Sequence, residues 1–228
     1  LTRLPITTYW TTNYDRLIEE GLQKNNRRVD VKIDQESLAQ SLPDRDAILY
    51  KMHGDVMNPA KAVLTKDDYE KYEIDHRLFR TALQGDLINK TFLFIGFSFE
   101  DPNLRYILSQ IRALLGENIR THYCFFEKIK RENYNNDDNY NYSKIKQELR
   151  IEDMYRYGIH AIELDSYQFI TTILNKLETL YLSNNIFISG SISSPTLNWD
   201  IKRAENFTYN LSKELIKKQY KIISGFGL

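Results

Sequence analysis

One cysteine, Cys124, occurs in 228 residues, so no internal disulfide can form. It lies in the apolar run "HYCFFE", where a thiol reads as a small buried hydrophobe. That usage fits a reducing, cytoplasmic setting. A charge surplus is also missing, because 31 Lys plus Arg balance 31 Asp plus Glu. Binding nucleic acid chiefly through phosphates needs a basic surplus, so no nucleic-acid partner is expected. No segment approaches the roughly 18 consecutive apolar residues of a membrane helix, and no secretory signal pattern opens the chain. A membrane partner is not expected either.

What is present is an alternation of strand-like and helix-like apolar periods. Residues 6–11 read as a strand and about 14–24 as a helix. "RVDVKI" (28–33) and "AILYKM" (47–52) read as strands, the second ending at His53. Residues 65–90 are polar and helical, with Leu78, Phe79, Ala82, Leu83 and Leu87 on one face. "TFLFIGF" (91–97) is a continuous apolar run, as in a strand buried on both sides. A helix over 101–116 follows, with Asp101 as cap, Pro102 at its first position and a stripe from Leu104 to Leu115.

"THYCFFE" (121–127) reads as a strand and the Asn-rich 131–142 as a surface loop or flexible insertion. A helix to about Tyr157, the strand "HAIEL" (160–164) and a helix over 167–182 complete this part. At 183–185 the pattern restarts. A strand over 185–193 enters a glycine turn, a helical stripe covers 198–219, and "YKIISGFGL" (220–228) repeats the strand-to-glycine pattern.

This pattern predicts an α/β fold: a Rossmann-like, mainly parallel sheet with a helical insertion, then the start of a second Rossmann-like domain. The expected boundaries are 1–182 and 183–228. The first residue is Leu, not Met, and a strand-helix-strand cannot close a domain alone. The expectation is therefore that the sequence starts inside the first domain, without its N-terminal part, and stops inside the second.

Ligands of open parallel sheets collect at the carboxyl ends of strands. Three polar clusters are predicted there: "TTNYD" (11–15), "HGD" (53–55) and "GFSFEDPN" (96–103). Each has a structural reading of its own. Asn13 reads as a helix cap, with Asp15 favouring the helix's positive end. His53 reads as a hydrogen-bonded strand-end residue. Gly96 and Ser98 read as a turn before a well-capped helix. The alternative is that all three face a nucleotide, with Ser98 and the free N–H groups of the helix start meeting ribose or phosphate.

In that order, "TTNYD", "HGD" and "GFS" resemble the NAD-binding core of sirtuins. "HGDVMNPAKAVLTKDDY" (53–69) is similar to the prokaryotic sirtuin-like branch, which consists largely of NAD-consuming defence proteins. With the tail, "IFISGSIS" and "KIISGFG", the sequence resembles the effectors of the Thoeris antiphage system, in which a SLOG nucleotide-sensing domain follows the sirtuin-like one. The resemblance to the sirtuin-like domain covers roughly residues 5–165.

The resemblance implies a set of roles. Asn13 orients the reacting ribose and the attacking water, and His53 acts on a ribose hydroxyl. Asp15 lies near the nicotinamide amide, and Gly96 and Ser98 hold the adenosine side. Gly190, Ser191, Gly225 and Gly227 belong to glycine turns of the sensor, which binds a cyclic ADP-ribose isomer made by a TIR-domain protein. The implied activity is hydrolysis of NAD to ADP-ribose and nicotinamide by a homo-oligomer, expected to be a tetramer, with no metal. Sirtuins also cradle the NAD diphosphate in a Gly-Ala-Gly loop, which has no counterpart between Leu1 and Asn13; its expected place is upstream. The four-cysteine zinc module of sirtuin deacylases cannot be built from Cys124 alone. An NAD-dependent protein deacylase is thus the weaker alternative, beside a non-catalytic nucleotide-sensing module.

Overall fold

The computed structural model describes residues 1–97, 99, 101–188 and 200–224. The chain divides into two compact units, Leu1–Ile170 and Thr171–Leu228. Every strand pairing among the described residues is parallel, as the alternating pattern predicts.

In the first unit, β3 (Ala47–Lys51) is central, with β1 (Thr8–Thr11) on one side and β2 (Val29–Lys32) on the other. Thr11 stands opposite Lys51, so both strands end at one edge. Inward-facing Ala47 and Leu49 pack with Tyr9 and with Leu22 of α1 (Leu17–Lys24). Their apolar phase along the strand has period two, the signature of a half-buried strand.

The α1 helix starts three residues later than the periodicity predicts. Its cap position is Arg16, with no side-chain cap bond, so Asn13 does not cap it. Instead the Asn13 N–H donates to Thr11 Oγ1 (3.1 Å), and Asp15 Oδ1 accepts the Leu17 N–H (3.1 Å). The acidic side chain therefore serves the helix start, while Asn13 belongs to the preceding turn.

Between β2 and β3 lies a short helix that the periodicity does not reveal, α2 (Gln35–Ala39), held by an Asp34–Ser37 capping box. The predicted helical stretch at 65–90 is two helices, α3 (Lys66–Asp75) and α4 (Arg77–Asn89). They break at His76, whose ring stacks on Tyr72 with centroids 4.5 Å apart. Phe79, Leu83 and Leu87 are buried as predicted, but Leu78 is exposed. α4 is tied to β1 through Asp86, which accepts from Trp10 Nε1 (2.9 Å) and pairs with Lys90 (2.8 Å).

The second sheet has the order β4 (Leu93–Phe94), β5 (His122–Glu127), β6 (Ile159–Leu164). The expected long strand at 91–97 is only two residues, neither fully buried. Phe94, still paired with Cys124, and Phe97, beyond the ladder, pack around buried Phe99, with centroids 5.0 and 5.2 Å away.

Helix α5 (Pro102–Leu115) buries Leu104, Ile107, Leu108 and Ile111 as its stripe predicts. The polar 131–142 segment is not a loop throughout. After a single 3₁₀ turn, α6 (Asp137–Tyr155) begins within it, capped by Asn136 Oδ1 on the Asn139 N–H (2.8 Å).

α7 (Phe169–Ser183), whose first two residues belong to the first unit, leads to β7 (Asn185–Ile188), α8 (Ile201–Lys217) and β8 (Lys221–Ser224) of the second. β7 and β8 pair in parallel from Asn185↔Lys221 to Ile188↔Ser224. α8 is the crossover, started by Asp200 Oδ1 on the Arg203 N–H (2.7 Å). The described parts of the expected strands 185–193 and 220–228 are these two.

Candidate functional site at the strand ends

The parallel register of β1 and β3 sends their following loops out side by side. Main-chain bonds then join them: the Met52 N–H donates to Thr11 O and the Val56 N–H to Tyr14 O, both at 2.9 Å. The Tyr14 hydroxyl reaches Val63 O (2.6 Å), and the Val63 N–H returns to His53 O (2.9 Å). "TTNYD" and "HGD" are thus one bonded surface.

The third cluster meets them at His53. This residue is 5% exposed, and its Nε2 lies 3.3 Å from Asp101 Oδ2 at the start of α5. The alignment there does not satisfy a hydrogen bond, and Nε2 has no other such partner among the described residues. The Tyr69 hydroxyl stands 3.4 Å from Nδ1, and the edges of Tyr69 and Tyr72 close the ring in. If Tyr69 donates to Nδ1, the ring proton sits on Nε2, facing the carboxylate. Tyr72 is anchored by donating to Met52 O (3.1 Å), and burial pushes its phenol well above the ordinary range, so it stays a neutral donor.

Gly54 has φ +97°, and a Cβ there would lie 2.9 Å from Ala62 Cα. The close approach this glycine permits is that of the chain's own backbone. Gly96, at φ +66°, has nothing within 4 Å of a Cβ position, so its requirement is conformational. Phe99 is also left-handed (φ 57°), a costly conformation for an aromatic residue, and it lies two residues before Asp101.

Asn13 and Asp15 are exposed at the same edge where His53 is buried. Ser98, Gly190, Ser191, Gly225 and Gly227 lie outside the described residues.

Three side chains at this edge were not singled out as site residues by the motifs. Asp101 reads from sequence only as a helix cap, a role it also has through the Leu104 N–H (3.4 Å). Tyr69 lies in the "KDDY" segment of the resemblance. Lys51 sits beneath both loops, and its signal was a charged residue in the inward phase of β3, after Ala47 and Leu49.

Among the described residues, a cavity of about 350 Å³ lies beside these loops, bordered by Asp34, Lys61, Val63, Asp68 and His76. A larger one, about 480 Å³, lies elsewhere, lined by residues of α6 with Lys128, Ile129 and Glu163, and it contains none of the predicted site residues. The bonded loops, not cavity size, locate the site. No group of three or more His, Cys, Asp or Glu suited to a metal occurs among the described residues. No helix among them is long and apolar enough to cross a membrane.

A parallel α/β scaffold with an Asn-bearing loop after β1 and a His-Gly loop after β3 defines the class: the chain belongs to the SIR2-like domain family, whose model matches residues 7–152. The model of the Sir2- and TIR-associating SLOG family matches residues 169–228. Over its full length the chain is 50% identical to the NAD(+) hydrolase ThsA of Bacillus cereus (strain MSX-D12), covering 48% of it. It is 49% identical to the NAD(+) hydrolase ThsA of Cytobacillus dafuensis, again covering 48%. The chain thus spans about half the length of these curated relatives. The Defense-associated sirtuin 2 of Bacillus subtilis is 32% identical over 107 residues, which is 46% of this chain and 10% of that protein.

Proposed function

We propose that the protein hydrolyses NAD to ADP-ribose and nicotinamide as a Thoeris-type antiphage effector. A cyclic ADP-ribose isomer from a TIR-domain protein, bound at the second unit, switches the activity on. The observation that carries the proposal is the joining of the β1 and β3 loops, with His53 held against Asp101 and Tyr69. Similarity of the whole chain to about half the length of proteins named NAD(+) hydrolase supports it.

The chemistry suits these groups. Leaving of nicotinamide, which takes the electron pair of the glycosidic bond, develops positive charge on the ribose. Water adds to the anomeric carbon and gives up a proton. The Asn13 carboxamide, neutral at every relevant pH, orients that water and the ribose. His53 accepts or shares a ribose hydroxyl proton, a task for which imidazole is suited near neutrality. Asp15 lies toward the nicotinamide amide, and Gly96 and Ser98 border the adenosine side. Gly190, Ser191, Gly225 and Gly227 serve the messenger site. The active form is a homotetramer working in the cytoplasm.

The test uses the full-length protein with the messenger present, following nicotinamide and ADP-ribose by chromatography. Asn13→Ala and His53→Ala should each lower turnover roughly 10²- to 10⁴-fold while circular dichroism stays that of the wild type. Nicotinamide release that requires an acetylated lysine peptide would replace this reading with a deacylase. Tight NAD binding without turnover would replace it with a sensing module.

A further inference from the structure

We propose that Lys51 is a positioning residue that locks the Asn13 loop and the His53 loop in one register. The inference rests on the NAD-hydrolase reading above. Lys51 is the last residue of β3, abreast of Thr11 and two residues before His53. Its side chain is fully buried. Burying an ammonium is costly unless its protons are matched by acceptors, so the placement of those acceptors shows what it organises.

All of them come from the site's own loops and the helix between. The ammonium donates to Tyr14 O (3.1 Å) and Asp15 O (2.5 Å), directly after Asn13. It reaches Glu19 Oε1 of α1 (3.2 Å) and Asp55 Oδ2 of the His-Gly-Asp loop (2.5 Å). Three N–H groups shared over four acceptors leave it no freedom to turn elsewhere.

Asp55 in turn accepts the Met57 N–H (2.7 Å), which shapes the loop beyond Gly54. Burial opposes ionisation of Asp55, but the Lys51 and Met57 bonds outweigh it and hold its carboxyl below the ordinary range. Asp55 therefore stays ionised at neutral pH. An apolar residue in this inward phase would pack against Leu49 and α1, but it would offer the two carbonyls and two carboxylates no donor. The Lys51 ammonium is spent on these loop and helix acceptors, so its part is to fix the loops.

The test compares full-length wild type with Lys51→Met, with the triple variant Lys51→Met/Glu19→Gln/Asp55→Asn, which replaces all three charged groups by uncharged ones, and with the milder Asp55→Asn. Two quantities are measured: NAD turnover with messenger, and amide hydrogen exchange. The expected result is a kcat about 100-fold lower in the triple variant with KM changed little, and about tenfold lower in Asp55→Asn, because small misplacements of reacting groups are that costly. Exchange should quicken at residues 13–16 and 54–57 but not across α5.

A triple variant with wild-type kcat, or uniform quickening of exchange, overturns the proposal, since Lys51 would then only balance charge. Should the Lys51 variants fail to fold, Asp55→Asn decides alone: unchanged kcat and loop exchange overturn the inference. Wild type and His53→Ala run alongside. If wild type does not hydrolyse NAD, the hydrolase reading fails, and the exchange measurement still decides whether Lys51 joins the loops.

Discussion

Gly54 separates His53 from Asp55, and its left-handed backbone sits against Ala62 at a distance no Cβ tolerates. The turn between the imidazole and the carboxylate that Lys51 holds therefore depends on having no side chain at this position. Gly54→Ala should cost about 2–3 kcal/mol from backbone strain and the clash with Ala62 Cα. Urea unfolding of the full-length protein, wild type against variant, measures it, and a loss under about 0.5 kcal/mol, the range of an ordinary surface change, would contradict the geometry. His53 and Gly54 were both legible as motif residues. Their structural neighbours Tyr69 and Asp101 were not assigned to the site, because they arrive from separate helices and only the tertiary fold brings them to one ring.

At the scale of elements, β4 and β5 meet at a histidine that the motif reading passed over. His122 Nδ1 accepts the Phe92 N–H (3.1 Å), so the ring must be neutral to keep the seam. Burial first, and the nearby Arg120 second, lower its pKa to about 4. In the unfolded chain the group titrates near its ordinary value, so between about pH 6.5 and 4 the unfolded state binds the extra proton. Stability from this group is present above about pH 6.5 and is lost as pH falls toward 4.

Between pH 7 and 5 the loss attributable to His122 should be about 1–2 kcal/mol. Urea midpoints at the two pH values, compared with His122→Asn, which keeps an acceptor near Nδ1, should show the acid-sensitive part diminished in the variant. Elements with a clean apolar period, such as β3 and α5, were legible from sequence. The start of α6 was hidden because its first turns bury nothing; the Asn136 cap and Asp137 and Asp138 beside it were the only cues. α2 was hidden because five residues hold too little periodicity, though "DQES" is a capping box. The strand at 91–97 was over-extended because continuous apolar sequence serves an aromatic cluster as well as a ladder.

For the whole molecule, two parallel α/β units follow one another, and the proposed function gives them different ligands. Ligand linkage then makes a definite demand. A messenger that favours the active form must also raise the thermal stability of the full-length protein, by about 2.7 kcal/mol at a hundredfold excess over its dissociation constant. Differential scanning calorimetry with cyclic ADP-ribose isomers, beside NAD turnover at the same concentrations, should rank the isomers in one order. Different rankings would separate sensing from switching. The restart of the strand pattern near residue 185 made β7 and β8 legible, whereas the glycines that follow them in sequence carry no signal of which nucleotide they prefer.

Cys124 offers a practical consequence. It is the sole thiol of these 228 residues, lies in the core beneath α5, and burial pushes its pKa up to about 11. Reagents that need a thiolate will find it inert until that core opens. The speed at which alkylation consumes it is therefore a clock for transient opening of the first unit, readable by mass spectrometry without any added label.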